Sequence, residues 1–190
     1  MIETYFPVND DWLDGPLPVP PDNRPPSGWA GIERIMPALV QRFCDYQDLA
    51  LEFGCEYTHS TNVLAQLFHR VTAVDWFKGD IHSGEREDYY DIAAANVAHR
   101  KNVTLVRSSY QDWLAQVSED ARYDLIHVDV VHTYEATYDI GKWATDHASV
   151  IIFHDVVAWP EVAPAVEQIA KETGKKFYVY KPCNGLGILV

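Results

Sequence analysis

The chain has 190 residues, enough for one domain with a two- or three-layer core that needs no metal or disulfide staple. Fifteen Lys plus Arg against 28 Asp plus Glu give a formal charge of −13, which argues against a nucleic-acid backbone or an anionic membrane as partner and leaves a small cationic ligand open. With 47% hydrophobic and 23% charged residues the mix is globular, and 13% aromatics suggest pockets or interfaces as well as core.

The start, Met1-Ile2-Glu3-Thr4-Tyr5, lacks the basic end and apolar run of an export signal. No apolar stretch approaches the ~20 residues that span a bilayer. Cys44, Cys55 and Cys183 are odd in number and widely spaced, so neither a disulfide framework nor a zinc knuckle is indicated and a cytoplasmic setting is the default expectation.

Pro16, Pro18, Pro20, Pro21, Pro25 and Pro26 crowd the first segment. They forbid helix and favour an extended arm over residues 1–31, either a surface linker or a cover for a site, with a domain over 32–190. Ile32, Ile35, Met36, Leu39, Val40 and Phe43 follow a helical period, kinked or restarted at Pro37. Strand and helix signals then alternate. Strands are expected over 49–53, 71–75, 103–107, 125–128 and 150–153, and helices over 60–68, 87–98, 112–117, 133–145 and 162–173. Gly174 stops the last helix. Strands over 177–180 and 186–190 have no helix between them and should close as an antiparallel hairpin. The expected fold is a doubly wound, Rossmann-like α/β sheet of seven strands, mostly parallel, with helices on both faces.

Ligands of such sheets sit beyond the carboxyl ends of the strands. The first of these ends runs Glu52-Phe53-Gly54-Cys55-Glu56-Tyr57-Thr58-His59-Ser60-Thr61, where Gly54 permits a tight turn and the following helix offers free amides. Asp75 ends the next strand, roughly 20 residues on, where an acidic side chain can accept ribose hydroxyls; an ordinary βαβ turn reads the same way. Further on, Asp129-Val130-Val131-His132 and His154-Asp155 end two adjacent strands. Converging carboxylates suit a hard divalent cation such as Mg²⁺, which can acidify a substrate hydroxyl while a nearby His takes its proton. Strand and helix caps are the alternative for each residue. His127, inside an apolar strand, reads as a satisfied core histidine. His154 suits softer metals than Mg²⁺. Lys78–Asp88, with His82, is polar and reads as a loop by the site.

The run Leu51-Glu52-Phe53-Gly54 with Ser60-Thr61, followed by Val74-Asp75, resembles motif I and the ribose-binding acid of class I S-adenosylmethionine-dependent methyltransferases. Thr58 stands where the pattern has its second glycine. Asp129-x-x-His132-x-Tyr134 with His154-Asp155 resembles the small branch of macrolide-sugar O-methyltransferases and cephalosporin-hydroxylase-like proteins. The resemblance implies that Glu52, Gly54, Ser60, Asp75, Trp76 and Ser109 contact the cofactor. It also implies Asp129, His154 and Asp155 as ligands of a metal such as Mg²⁺, and His132 as catalytic base beside Asp129. The expected activity is O-methylation of a small-molecule hydroxyl. A methyltransferase-fold binding protein without activity is the alternative that Thr58 motivates. A small molecule is the expected partner, and a proline arm that swaps between subunits would make a homo-oligomer.

Overall fold

Between residues 49 and 53, alternate side chains point to opposite faces: Ala50 into one apolar layer, Leu51 and Phe53 into another. Burial on both faces is what a central parallel strand requires. The computed structural model describes residues 2–4, 27–82, 84 and 87–190. The proline-rich stretch singled out above lies outside the described residues, as do three positions of the 78–88 loop.

The strands are β1 (Ile2–Thr4), β2 (Leu49–Phe53), β3 (Arg70–Asp75), β4 (Val103–Arg107), β5 (Tyr123–Val128), β6 (Ala148–His154), β7 (Phe177–Tyr180) and β8 (Leu186–Leu189). The helices are α1 (Met36–Phe43), α2 (His59–Leu67), α3 (Tyr90–Val97), α4 (Tyr110–Leu114), α5 (Tyr134–His147) and α6 (Val162–Thr173), with a 3₁₀ turn at Ile32–Arg34 ahead of α1. Pro37 sits at the start of α1, where its missing N–H costs nothing.

The sheet order is β1-β7-β8-β6-β5-β2-β3-β4. Every pairing is parallel except those of β8 with β6 and β7. The expected seven-stranded, mostly parallel α/β sheet with its antiparallel hairpin is therefore present. An eighth strand, Ile2–Thr4, adds to the edge beside β7, a pairing too short for pattern to announce.

Each face has its own core. Residues of α1 and α2 cover Ala50, Val71, Leu125 and Ile152, and Trp29, 2% exposed, belongs to this layer ahead of the Ile32 boundary. On the other face α5 and α6 cover Leu51, Phe53, Ile126 and Phe153. Val162, Ala165, Val166 and Ile169 repeat at helical spacing, so α6 buries one stripe. Each such Val or Ile side chain contributes about 1.5–3 kcal/mol when fully buried. No helix among the described residues is long and apolar enough to cross a membrane.

β2 lies between β3 and β5, so the winding direction reverses there. Crevices form at such reversals. The strand order thus brings the loop after β2 against the loop after β5.

Candidate active site

At the reversal the two loops touch backbone to backbone. Gly54 has φ 79°, and a Cβ on it would lie 1.6 Å from the Asp129 carbonyl oxygen. Any side chain would push β5 away, so Gly54 is required by the chain's own packing. The loop continues through Glu56 (φ 44°) and Thr58 (φ 70°), both left-handed without being glycine. Such a conformation costs an L-residue about 1–2 kcal/mol. Thr58 adopts it, in the second glycine's place, while fully buried.

Asp75 holds that loop. Its Oδ2 accepts the N–H groups of Cys55 (3.0 Å) and Glu56 (2.9 Å), and its Oδ1 accepts that of Phe77 (2.7 Å). Two lone pairs serve each carboxylate oxygen, so one position on Oδ1 remains for a ligand hydroxyl. Burial pushes the Asp75 carboxyl up, and the three amides offset this only in part. Next to it Trp76 is 47% exposed, an uncovered aromatic face beside a carboxylate.

The loop leads into α2, whose start is buried from Thr58 to Thr61 and lacks a side-chain cap. A buried helix end without caps is a place for an anionic or hydrogen-bonding ligand group. His59 Nδ1 there has no partner among the described residues, while its Nε2 meets Glu33 Oε2 at 3.3 Å. Ser60 lies in this first turn. The uncapped turn, the open acceptor position on Asp75 and the exposed Trp76 all follow β2 and β3.

Glu52 and Ser109, which the resemblance assigns to the cofactor, each have partners within the chain. Glu52 is fully buried; His127 Nδ1 meets its Oε1 at 2.9 Å, and the Thr61 hydroxyl donates to its Oε2. The Trp29 indole donates to His127 Nε2 at 3.1 Å, so His127 is the satisfied core histidine expected of it. Breaking such a buried pair from one side costs about 3–5 kcal/mol. Ser109 caps α4, accepting the Asp112 N–H and donating to its carboxylate.

The ends of β5 and β6 carry the titratable cluster. Ligand atoms of Asp129, His154 and Asp155 all lie within 4.8 Å of one another. His154 Nδ1 is 3.2 Å from Asp129 Oδ2 and 3.4 Å from Asp155 Oδ2. Its Nε2 lies 3.2 Å from the Cys183 carbonyl, which can only accept, so Nε2 carries a hydrogen and neutral His154 presents a lone pair at Nδ1 to the carboxylates. That lone pair needs a proton or a cation. His132 Nε2 lies 2.8 Å from Asp155 Oδ2 and 3.5 Å from Asp129 Oδ1, within ion-pair reach of both. Asp155, at φ 63°, keeps a buried Oδ1 with no partner among the described residues. Two carboxylates and an imidazole that converge with one buried oxygen left unpartnered are what ligands around an ion look like.

Electrostatics agree. Burial alone would lower the two imidazoles, but the carboxylates outweigh it and push His132 up to about 9 and His154 up to about 10. Burial likewise would raise Asp129 and Asp155, yet the histidines hold both below the usual carboxylate range. At neutral pH and without a cation the cluster is held together by two protons.

Two further side chains meet His132. His82 Nδ1 accepts the His132 backbone N–H at 3.1 Å, and Trp159 stacks on the His132 ring at 4.9 Å and 3°. Both come from irregular segments, where no periodicity forecasts contact; only residue type, an imidazole in a polar loop and a Trp ahead of α6, hinted at them.

The doubly wound sheet thus carries a buried acid at the end of β3, an uncapped α2 and a carboxylate–imidazole cluster after β5 and β6, all at the carboxyl ends of its strands. The family profile described as a methyltransferase domain matches residues 51–156, more than half of the chain. The chain belongs to that methyltransferase family. Among solved structures it is similar to a Klebsiella pneumoniae protein assigned as an O-methyltransferase, at 18% identity and TM-score 0.59, covering 95% of this chain and 90% of that one. It is also similar to an O-methyltransferase from Bacillus cereus in complex with SAH, at 18% identity and TM-score 0.56 over 80% of this chain and 77% of that one. A ribosomal protein L11 methylase from Lactobacillus delbrueckii has 17% identity and TM-score 0.58 over 82% and 75%. These likenesses establish the shared fold. Curated proteins yield no significant match.

Proposed function

We propose that this methyltransferase acts on a hydroxyl oxygen of a small molecule, assisted by a divalent cation held by Asp129, His154 and Asp155. The observation that carries this reading is the convergence of Asp129, His154 and Asp155 at the ends of β5 and β6, with Asp155 Oδ1 buried and without a partner among the described residues, directly across the reversal from Gly54. The O-methyltransferases among similar structures support the choice of oxygen.

The cofactor supplies an electrophilic methyl group on a sulfonium. Asp75 Oδ1 would accept a ribose hydroxyl, Trp76 would lie along the adenine, and Ser60 with the first turn of α2 would receive the amino-acid tail. A cation at the cluster would supply Lewis acidity towards the acceptor hydroxyl and lower its pKa. A two-Asp, one-His set suits Mn²⁺ or another transition cation better than Mg²⁺. His132 Nε2 is the site for the proton. Paired with carboxylates alone its pKa of about 9 keeps it protonated at neutral pH; cationic charge on Asp129 and Asp155 would relieve that pull and free Nε2 to accept. The −13 charge fits a small acceptor better than RNA.

The test is methyl transfer from radiolabelled S-adenosylmethionine to phenolic, sugar and hydroxy-acid probes, with Mn²⁺, with Mg²⁺ and with chelator. Cation-dependent labelling of a hydroxyl is expected, with His132→Ala slowing turnover while cofactor affinity stays within about twofold. Labelling that ignores chelator removes the cation, and unchanged turnover in His132→Ala removes the base.

A further inference from the structure

The carboxylates hold His132 at one corner only: Nε2 lies 2.8 Å from Asp155 Oδ2 and 3.5 Å from Asp129 Oδ1, while Nδ1 has no hydrogen bond among the described residues, so these contacts alone do not set the imidazole plane. Two further rings contact it. Trp159 lies parallel to it, with centroids 4.9 Å apart and planes at 3°. His82 lies 5.3 Å from the His132 ring and 4.3 Å from the Trp159 ring. His82 also grips the backbone, because its Nδ1 accepts the His132 N–H at 3.1 Å. That bond requires a lone pair at Nδ1 and so places the His82 hydrogen on Nε2. His82 is itself held: the Asp80 carboxylate accepts the His82 N–H at 2.8 Å, a local turn that fixes where the imidazole starts.

We propose that His82 and Trp159 are positioning residues for His132: His82 fixes its backbone through the Nδ1 acceptor, and Trp159 fixes its ring plane by stacking. The inference rests on the reading of His132 as the proton-accepting group. Neither residue touches the reacting atoms in this role. The consequence for the reaction is geometric. Nε2 must stay near both Asp155 Oδ2 and the acceptor oxygen, and a 1 Å displacement of a catalytic group costs about a hundredfold in rate.

The two contacts can be separated by variants. Asn can offer Oδ1 near the place of His82 Nδ1, so His82→Asn keeps the acceptor and loses the ring. His82→Phe keeps a ring and loses the acceptor. Trp159→Leu keeps bulk and loses the stack. The readout is NMR of the His132 amide and imidazole in the full chain, which needs no methyl acceptor, with a melting curve for each variant. His82→Phe is expected to speed His132 amide exchange about tenfold or more, while His82→Asn stays within about threefold of the parent. Trp159→Leu should move the His132 imidazole protons downfield, out of the indole ring current, and leave the amide unchanged. In the methyl-transfer assay, His82→Phe and Trp159→Leu should lower kcat with cofactor KM unchanged, and His82→Asn should recover most of the loss to His82→Phe. Unchanged His132 signals in both His82→Phe and Trp159→Leu would overturn the proposal, as would Asn behaving like Phe. Should His82→Phe fail to fold, the Trp159→Leu imidazole shift still decides the stacking half and His82→Asn the acceptor half. If no hydroxyl probe is methylated, the function reading fails while the NMR result still stands on its own.

Discussion

Asp75, at the end of β3, accepts three backbone N–H groups, whereas Asp129 and Asp155, at the ends of β5 and β6, accept none among the described residues and face two imidazoles. Both regions bury carboxylates, and they compensate the burial differently. On the β2–β3 side the chain supplies fixed dipoles, so the loop from Gly54 to Thr58 is shaped before any ligand arrives. On the β5–β6 side compensation comes from His132 and His154, whose protons a cation can replace. The contrast teaches that the first half is shaped by its own backbone dipoles ahead of any ligand. The second is built to exchange charge.

The largest effect is expected from the charge-exchanging half. Asp129→Asn should lower methyl transfer about a thousandfold while cofactor affinity, read by calorimetry, stays near the parent value. Equal losses in both would dissolve the distinction between the halves.

Asp75→Asn should do the reverse. An amide NH₂ opposing backbone N–H groups leaves buried donors unpaired, so stability should fall by about 1–3 kcal/mol and cofactor affinity about tenfold. Thermal melts and calorimetry read the two losses.

The pH dependence of stability separates the halves again. His132 and His154 are raised from 6.5 to about 9 and about 10 in the folded protein, so their contribution is complete below pH 6.5 and is lost as pH rises through those values. Asp129 and Asp155 are lowered, so theirs is present above the ordinary carboxylate range and is lost as pH falls. With chelator present, the melting temperature should therefore decline from pH 6.5 to 10, and His132→Gln should decline less. A flat profile across that window would mean that the protons do not hold the cluster.

The smallest effect is expected at Thr58→Gly. Relief of the left-handed strain is about 1–2 kcal/mol, and the loss of a buried side chain with glycine's greater unfolded entropy opposes it. The net change should stay within about 1 kcal/mol, with cofactor binding retained. A large loss of binding would show that the Thr58 side chain, and not Asp75, shapes the loop.

Much of this was legible in the residues. Strands 49–53, 103–107 and 177–180 and helix 162–173 occur where the pattern put them, because apolar period and glycine stops coincide there. Other ends were set by polar contacts that periodicity does not encode. The helix expected from Glu87 begins at Tyr90, whose N–H is taken by the Asp88 carboxylate. β6 starts at Ala148 immediately after α5, ahead of the β-branched run that signalled it. Within the site, Asp129, His132, His154 and Asp155 could be read because each ends a recognisable strand or follows one. The diversion of Glu52 to His127 could not, because it depends on register: the two residues are directly paired across β2 and β5 on the α1–α2 face. Nor could the grip of Asp75 on its loop, which depends on backbone angles at Glu56 and Thr58.

Calorimetric titration of the full chain with Mn²⁺ at pH 7, in two buffers of different ionisation enthalpy, tests the cluster most directly. If a cation replaces the protons on His132 and His154, binding is saturable and releases protons approaching about two per ion. Asp129→Asn should abolish it. No binding by the parent chain, or binding that Asp129→Asn leaves unchanged, would contradict the account.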